Sequence, residues 1–142
     1  MSQAAYRLAA TQFLTDYADF AQVKLTMYPA RPRTLFPPSG FVDRITEEFS
    51  ALAGLLLQRT PLVEVIVVHG LFDSADAAAQ KDAFVDGFVD WVTHEPHQAG
   101  ANTLIYMRRT EDLPNYVPEW VPPEQQKTYY ATQITLEGFA TE

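Results

Sequence analysis

The sequence predicts an α+β fold in which a mixed, mainly antiparallel sheet packs against two helices, in the order α-β-β-β-β-α-β-β. Three observations carry that expectation. Two stretches repeat apolar residues at helical spacing, one near the N-terminus and one in the middle. Several β-branched runs bounded by Pro and Gly read as strands. The strands cluster instead of alternating one for one with helices, as a parallel α/β sheet would require. The 142 residues suit a single domain, 1–142, with a core large enough to stand without disulfides.

The first helix follows from Tyr6, Ala10, Phe13, Tyr17 and Phe20 on one stripe, with Arg7, Gln12, Asp16 and Asp19 on other faces. Val23 to Tyr28 then reads as extended. Pro29, Pro32, Pro37 and Pro38 interrupt it, and prolines exclude the middle of a sheet, so this stretch is expected as a long surface loop or the frayed end of a hairpin. Phe41 to Phe49 resumes the strand pattern. Leu52–Gln58 and Leu62–Val68, parted by Arg59, Thr60 and Pro61, read as the two arms of a hairpin, the second a buried central strand.

Gly70 ends that strand, and Asp73 or Ser74 is placed to cap a second helix running to about His94. Its apolar stripe is Phe84, Phe88, Trp91 and Val92, joined by Val85 and Val89. Asp82, Asp86 and Asp90 fall four residues apart on a different face. Thr103–Arg109 and Thr128–Phe139 read as the last strands. Between them lies a loop holding Pro114, Pro118, Pro122 and Pro123 with the aromatics Tyr116 and Trp120. A loop of that length in a compact domain is expected to be functional or ordered by a partner.

Composition excludes several kinds of function. Cysteine is absent, which removes disulfides, thiolate metal sites and cysteine nucleophiles. A net charge of −8 opposes tight binding to nucleic-acid phosphates, and the Arg31/Arg33 and Arg108/Arg109 pairs form no basic stripe. No run approaches the roughly 20 apolar residues of a membrane span. The N-terminus lacks the pattern of a secretory signal, so a soluble protein made in the cytoplasm is expected.

Catalytic patterns are equally sparse. His94, Glu95 and His97 are close in sequence but match no zinc spacing, and Pro96 breaks the geometry. His69-Gly70 follows a strand without any nucleophile elbow, so His69 reads as a structural residue at a strand end. The six glycines form neither a dinucleotide fingerprint nor a phosphate loop. The aspartate row reads as a solvated helix face or as a negative surface turned towards a partner or channel. No catalytic residue, cofactor or metal site is therefore expected, and the chain reads as a non-enzyme.

One resemblance goes further. Val65-Ile-Val-Val-His-Gly-Leu-Phe-Asp-Ser-Ala-Asp76, Gln80-Lys-Asp-Ala-Phe-Val-Asp86 and His97-Gln-Ala-Gly-Ala-Asn-Thr103 resemble the tail terminator proteins of long-tailed bacteriophages. Tyr129-Tyr-Ala-Thr-Gln-Ile-Thr-Leu-Glu-Gly138 is similar to the closing strand of that family, and Tyr28-Pro-Ala-Arg-Pro-Arg33 to its early proline-punctuated loop. The resemblance implies a virion protein that forms a six-membered ring at the head-proximal end of the tail tube. Such a ring stops tube polymerisation and offers a surface to the head–tail connector, with genomic DNA passing through.

On that basis the candidate interface residues are Arg31, Arg33, Phe36, Tyr116 and Trp120, with Phe41 beside Phe36. Trp120 reads equally as an interface anchor or as a core residue covering the sheet. Asp82, Asp86 and Asp90, or the Glu47–Glu48 pair, are candidates for an acidic lumen. Three alternatives stay open at this point: another neck or tail protein such as a connector stopper or tube protein, a small metal-dependent enzyme using His94, His97 and the aspartates, and a host-side binding module.

Overall fold

The computed structural model describes residues 3–52, 56–73, 75–94, 97–98, 104–138 and 140–141. Helix α1 spans Gln3–Ala21 and buries Tyr6, Ala10, Phe13 and Tyr17 of the predicted stripe, together with Leu14 and Ala18. Phe20 stays largely exposed at its end. There Gln22 takes a left-handed conformation (φ 56°). The Gln22 amide bonds the Asp19 carbonyl and the Val23 amide bonds the Ala18 carbonyl, which satisfies the last turn.

Strand β1 (Thr26–Tyr28) lies parallel to the start of β2 (Ser39–Leu52). β2 turns back antiparallel into β3 (Leu56–Leu71), and helix α2 (Ala77–His94) follows. The short β4 (His97–Gln98) pairs with β5 (Leu104–Tyr116), and β6 (Tyr129–Glu137) lies between β5 and β3. The sheet order is β1-β2-β3-β6-β5-β4, with β7 (Ala140–Thr141) continuing beside β3. The fold is thus α+β, with one parallel pairing at its edge.

One predicted element is corrected. Leu52–Gln58 and Leu62–Val68 do not form a hairpin with each other. β3 runs unbroken through Arg59, Thr60 and Pro61, and its hairpin partner is β2. Among the described residues three strands therefore precede α2, not four. A proline inside a central strand is tolerated because of where its missing donor points. The Pro61 carbonyl accepts from the Gly138 amide at 2.9 Å. A residue's N–H and C=O share one side of an antiparallel strand, so the absent N–H faces Gly138, just past the end of β6.

Two smaller corrections follow. α2 starts at Ala77, with the Asp76 carbonyl accepting from Gln80, so the helix opens later than a cap at Asp73 implies, and Ser74 lies outside the described residues. β5 extends through Pro114 to Tyr116, which makes Tyr116 a strand residue; the aromatic loop begins after it.

Both helices cover one face of the sheet. Val42, Val63, Val65, Val67, Ile134 and Leu136 meet Phe13, Tyr17, Phe84, Phe88 and Trp91 there in one buried cluster. The opposite face holds Phe41, Ile66, Val68, Tyr129 and Ala131, covered by Leu35, Tyr28, Leu113, Tyr116 and Trp120. That second cluster covers only the Phe41–Val68 end of the face. Farther along, Arg44 pairs with Glu64 at 3.2 Å, and Gln133 donates to Glu64 at 3.4 Å.

Candidate functional site

The loop-covered face gathers three of the sequence-predicted residues. A register shift between Val42 and Arg44 sets Asp43 out of the β2 ladder. Its Oδ1 accepts from Arg31 Nε at 2.8 Å, which fixes the proline-rich loop 29–38 against the sheet. The Arg31 guanidinium lies 4.9 Å from the centroid of the Trp120 ring. Trp120 Nε1 donates to the Pro32 carbonyl at 2.8 Å, tying the later loop to the earlier one. The indole meets Phe41 edge-on at 5.1 Å, and Tyr116 stands 6.4 Å away.

These side chains bound a cleft of about 530 Å³ whose walls include Arg31, Asp43, Leu113, Tyr116, Glu119 and Trp120. Burial pushes the Tyr116 phenol above its ordinary range, with Asp43 adding to the effect and Arg31 opposing it. The hydrogen bond to Asp43 raises the Arg31 pKa in turn, so the guanidinium stays charged. The cleft offers a fixed cation, carboxylates and aromatic surface. Those groups suit recognition by stacking and hydrogen bonds.

The other candidates lie elsewhere. Phe36 is 72% exposed and lines a second cleft of about 520 Å³ with Leu35, Leu71, Val121 and Tyr129. Phe72 is also exposed and lines an adjoining depression with Leu71, so an apolar surface gathers at this end of β3. Arg33 is exposed and lines neither cleft. Asp82, Asp86 and Asp90 are all exposed on α2. Asp82 is also engaged within the chain: Lys81 Nζ pairs with it and reaches Asp112 on β5 at 2.9 Å, 5.8 Å above the Tyr130 ring. Those two carboxylates raise the Lys81 pKa.

The Glu47–Glu48 pair divides. Arg59 grips both Glu47 carboxylate oxygens at 2.8 and 2.9 Å, and the Glu47 side chain is almost wholly covered, so it faces no channel. Glu48 is exposed. The side chains of His94 and His97, and Glu95 entirely, lie outside the described residues. Among the described residues no cluster of His, Asp and Glu could hold a metal ion. No helix among them is long and apolar enough to cross a membrane.

Sequence reasoning missed two features. Asp43 becomes Arg31's partner through a register shift, which leaves no trace in composition. Among the described residues the sheet also leaves long stretches of edge unpaired. β1 covers β2 only from Ser39 to Phe41, and β4 covers β5 only at Leu104 and Ile105. Among the described residues, no strand pairs with the outer sides of Asp43–Leu52 and Tyr106–Tyr116. The length of a strand's partner is a non-local property that no local pattern reveals. No family model matches this chain, and no curated protein matches it either.

Proposed function

We propose that the protein is a bacteriophage tail terminator. Copies of it close into a ring, six-membered on the resemblance of its sequence, that caps the head-proximal end of the tail tube and meets the head–tail connector. The observation that carries this reading is the pair of edges, on opposite sides of one sheet, that no strand among the described residues covers. A head-to-tail contact needs two different surfaces on each copy, and it closes when its rotation divides the circle. An edge of β2 on one copy facing an edge of β5 on the next meets that requirement by strand addition. Arg44 and Glu48 on the first edge and Arg109, Glu111 and Asp112 on the second are exposed. Charges on an edge discourage indiscriminate pairing, so such edges favour one matched partner.

Exposed apolar residues support the reading further. Phe49 (59% exposed) lies near Arg59, whereas Phe36, Leu71 and Phe72 gather at the far end of β3. At about 3.3 Å per residue, Arg59 and Leu71 stand about 40 Å apart. The apolar surface at the Leu71 end suits a neighbour on that side, in this reading the tube or the connector. In the ring, the exposed aspartates of α2 would turn an acidic face to DNA in transit.

Electron microscopy of the purified protein, alone and with tail tubes, tests the proposal. Rings, or caps restricted to one tube end, are expected. A protomer that stays monomeric and leaves tubes bare and growing overturns it. Ala51→Pro, at an exposed position whose N–H turns away from β3 towards the uncovered β2 edge, is expected to abolish rings while the protomer still folds.

A further inference from the structure

A third cavity belongs to neither cleft and lies under the helices. It encloses about 510 Å³ between the end of α1, α2 and the sheet, within the range of small-molecule sites. Its walls are mostly apolar: Val67, Phe84, Ala83, Leu25 and Pro38. Two of its buried lining residues carry polar groups: Tyr17, whose hydroxyl already donates to the Phe84 carbonyl at 3.2 Å, and His69, which is only 6% exposed. Nε2 of that ring lies 2.9 Å from Thr132 Oγ1. Among the described residues the ring makes no second hydrogen bond. Nδ1 thus has no partner within the described residues of the chain.

We propose that this cavity binds a small, uncharged, mainly apolar molecule carrying one hydroxyl, held by His69 Nδ1. Either tautomer permits it. If Nε2 donates to Thr132, Nδ1 accepts; if the threonine hydroxyl donates, Nδ1 donates. A hydroxyl answers both. An apolar analogue without one leaves Nδ1 buried and unsatisfied, which is the source of selectivity. The rim favours a molecule that fits inside over a docked protein. Lys24 and Gln80 flank the mouth, and Val23 is the large exposed apolar residue on it, so the rim lacks the apolar surround of a protein interface. The imidazole stays neutral near pH 7 because its burial disfavours charge. A neutral ring suits an uncharged ligand.

Phenol and toluene are the probes, followed by amide chemical shifts in NMR titrations. Phenol is expected to shift Val67, His69 and Ala83 saturably and to bind at least about 5-fold tighter than toluene, the scale of one added hydrogen bond. His69→Phe is expected to bring that ratio to about one. Ala83→Trp, at an exposed helix position on the rim, is expected to abolish both titrations while the melting temperature holds. Non-saturating shifts, shifts centred elsewhere, or equal binding of the two probes to the native protein overturn the proposal. If His69→Phe fails to fold, the phenol-to-toluene ratio on the native protein decides alone. Monomer or ring, the protein contains the cavity within one chain, so this outcome is independent of assembly.

Discussion

Against one face of the sheet lie two helices whose aromatic rings interlock; against the other lie two proline-rich loops joined through an indole. On the helix side Phe13, Tyr17, Phe84, Phe88 and Trp91 form a chain of ring contacts between 5.3 and 6.4 Å. Edge-on and tilted geometries of this kind add to the apolar burial. On the loop side, polar links connect the pieces: Trp120 to Pro32, Arg31 to Asp43. Apolar burial there rests on a smaller cluster. The helix side holds the fold, and the loop side holds a shape that contacts from outside can adjust. Substitutions on the two faces should separate these roles.

The largest effect is expected at Phe88, which is fully buried among Phe13, Tyr17, Phe84 and Trp91. Phe88→Ala is expected to cost about 3–5 kcal/mol by lost transfer energy and an unfilled cavity. Urea unfolding measures it. A loss below about 1 kcal/mol would mean that the aromatic chain is not the principal core.

Next comes acid. Burial, with Lys81 adding and Asp112 opposing, holds the His69 pKa down to about 4, against an ordinary 6.5. Above pH 6.5 both folded and unfolded chains carry a neutral ring, so His69 imposes no pH dependence there. Below it the unfolded chain takes up a proton that the folded chain refuses, and stability falls with pH until about 4. Between pH 7 and 4.5 that difference amounts to roughly 2.5 kcal/mol. The carboxylates titrate in part of the same window, so the measurement is the difference in urea midpoint between the native protein and His69→Phe, which should shift in favour of His69→Phe as pH falls.

How far this division was legible depends on which residues set it. The helix side was legible in its stripes, because helical spacing alone picks out Tyr6, Phe13 and Tyr17 on one helix and Phe84, Phe88 and Trp91 on the other; that the two stripes share one cluster is the structure's addition. The loop side was legible only in its ingredients. Arg31, Tyr116 and Trp120 are brought into one cleft, while Phe36 and Arg33 lie outside it. Nothing in the chain near Asp43 shows that it leaves the β2 ladder and becomes the partner of Arg31. The proline signal also misled at Pro61, which faces Gly138 just past the end of β6, where no ladder donor is required. Patterns with short periods survive inspection of a sequence; registers and cross-sheet pairings do not.

A smaller effect is expected at Trp120. Trp120→Phe keeps a ring against Phe41 and removes the donor to the Pro32 carbonyl, at a cost of about 1 kcal/mol. The telling measurement is hydrogen exchange in residues 117–128 and 29–38. Faster exchange confined to these loops is expected, with β3 and β6 unchanged. Exchange that rises equally across the sheet would erase the distinction between the faces.

The smallest effect concerns Arg31 itself. Its side chain is 53% exposed, and its ion pair with Asp43 is open to water and salt. Arg31→Met retains part of the stem over the indole and removes the charge, so its cost should be about 0.5 kcal/mol or less. A double-mutant cycle with Trp120→Phe isolates the contact between guanidinium and indole, and a coupling of about 0.5 kcal/mol is expected for an exposed cation–π pair. Coupling well above that would place Arg31 in a desolvated network that stabilises the protomer. Coupling near the expected size leaves the guanidinium available: it is held in position by weak contacts, at a cleft where a neighbouring chain can exchange those contacts for its own with little loss of stability.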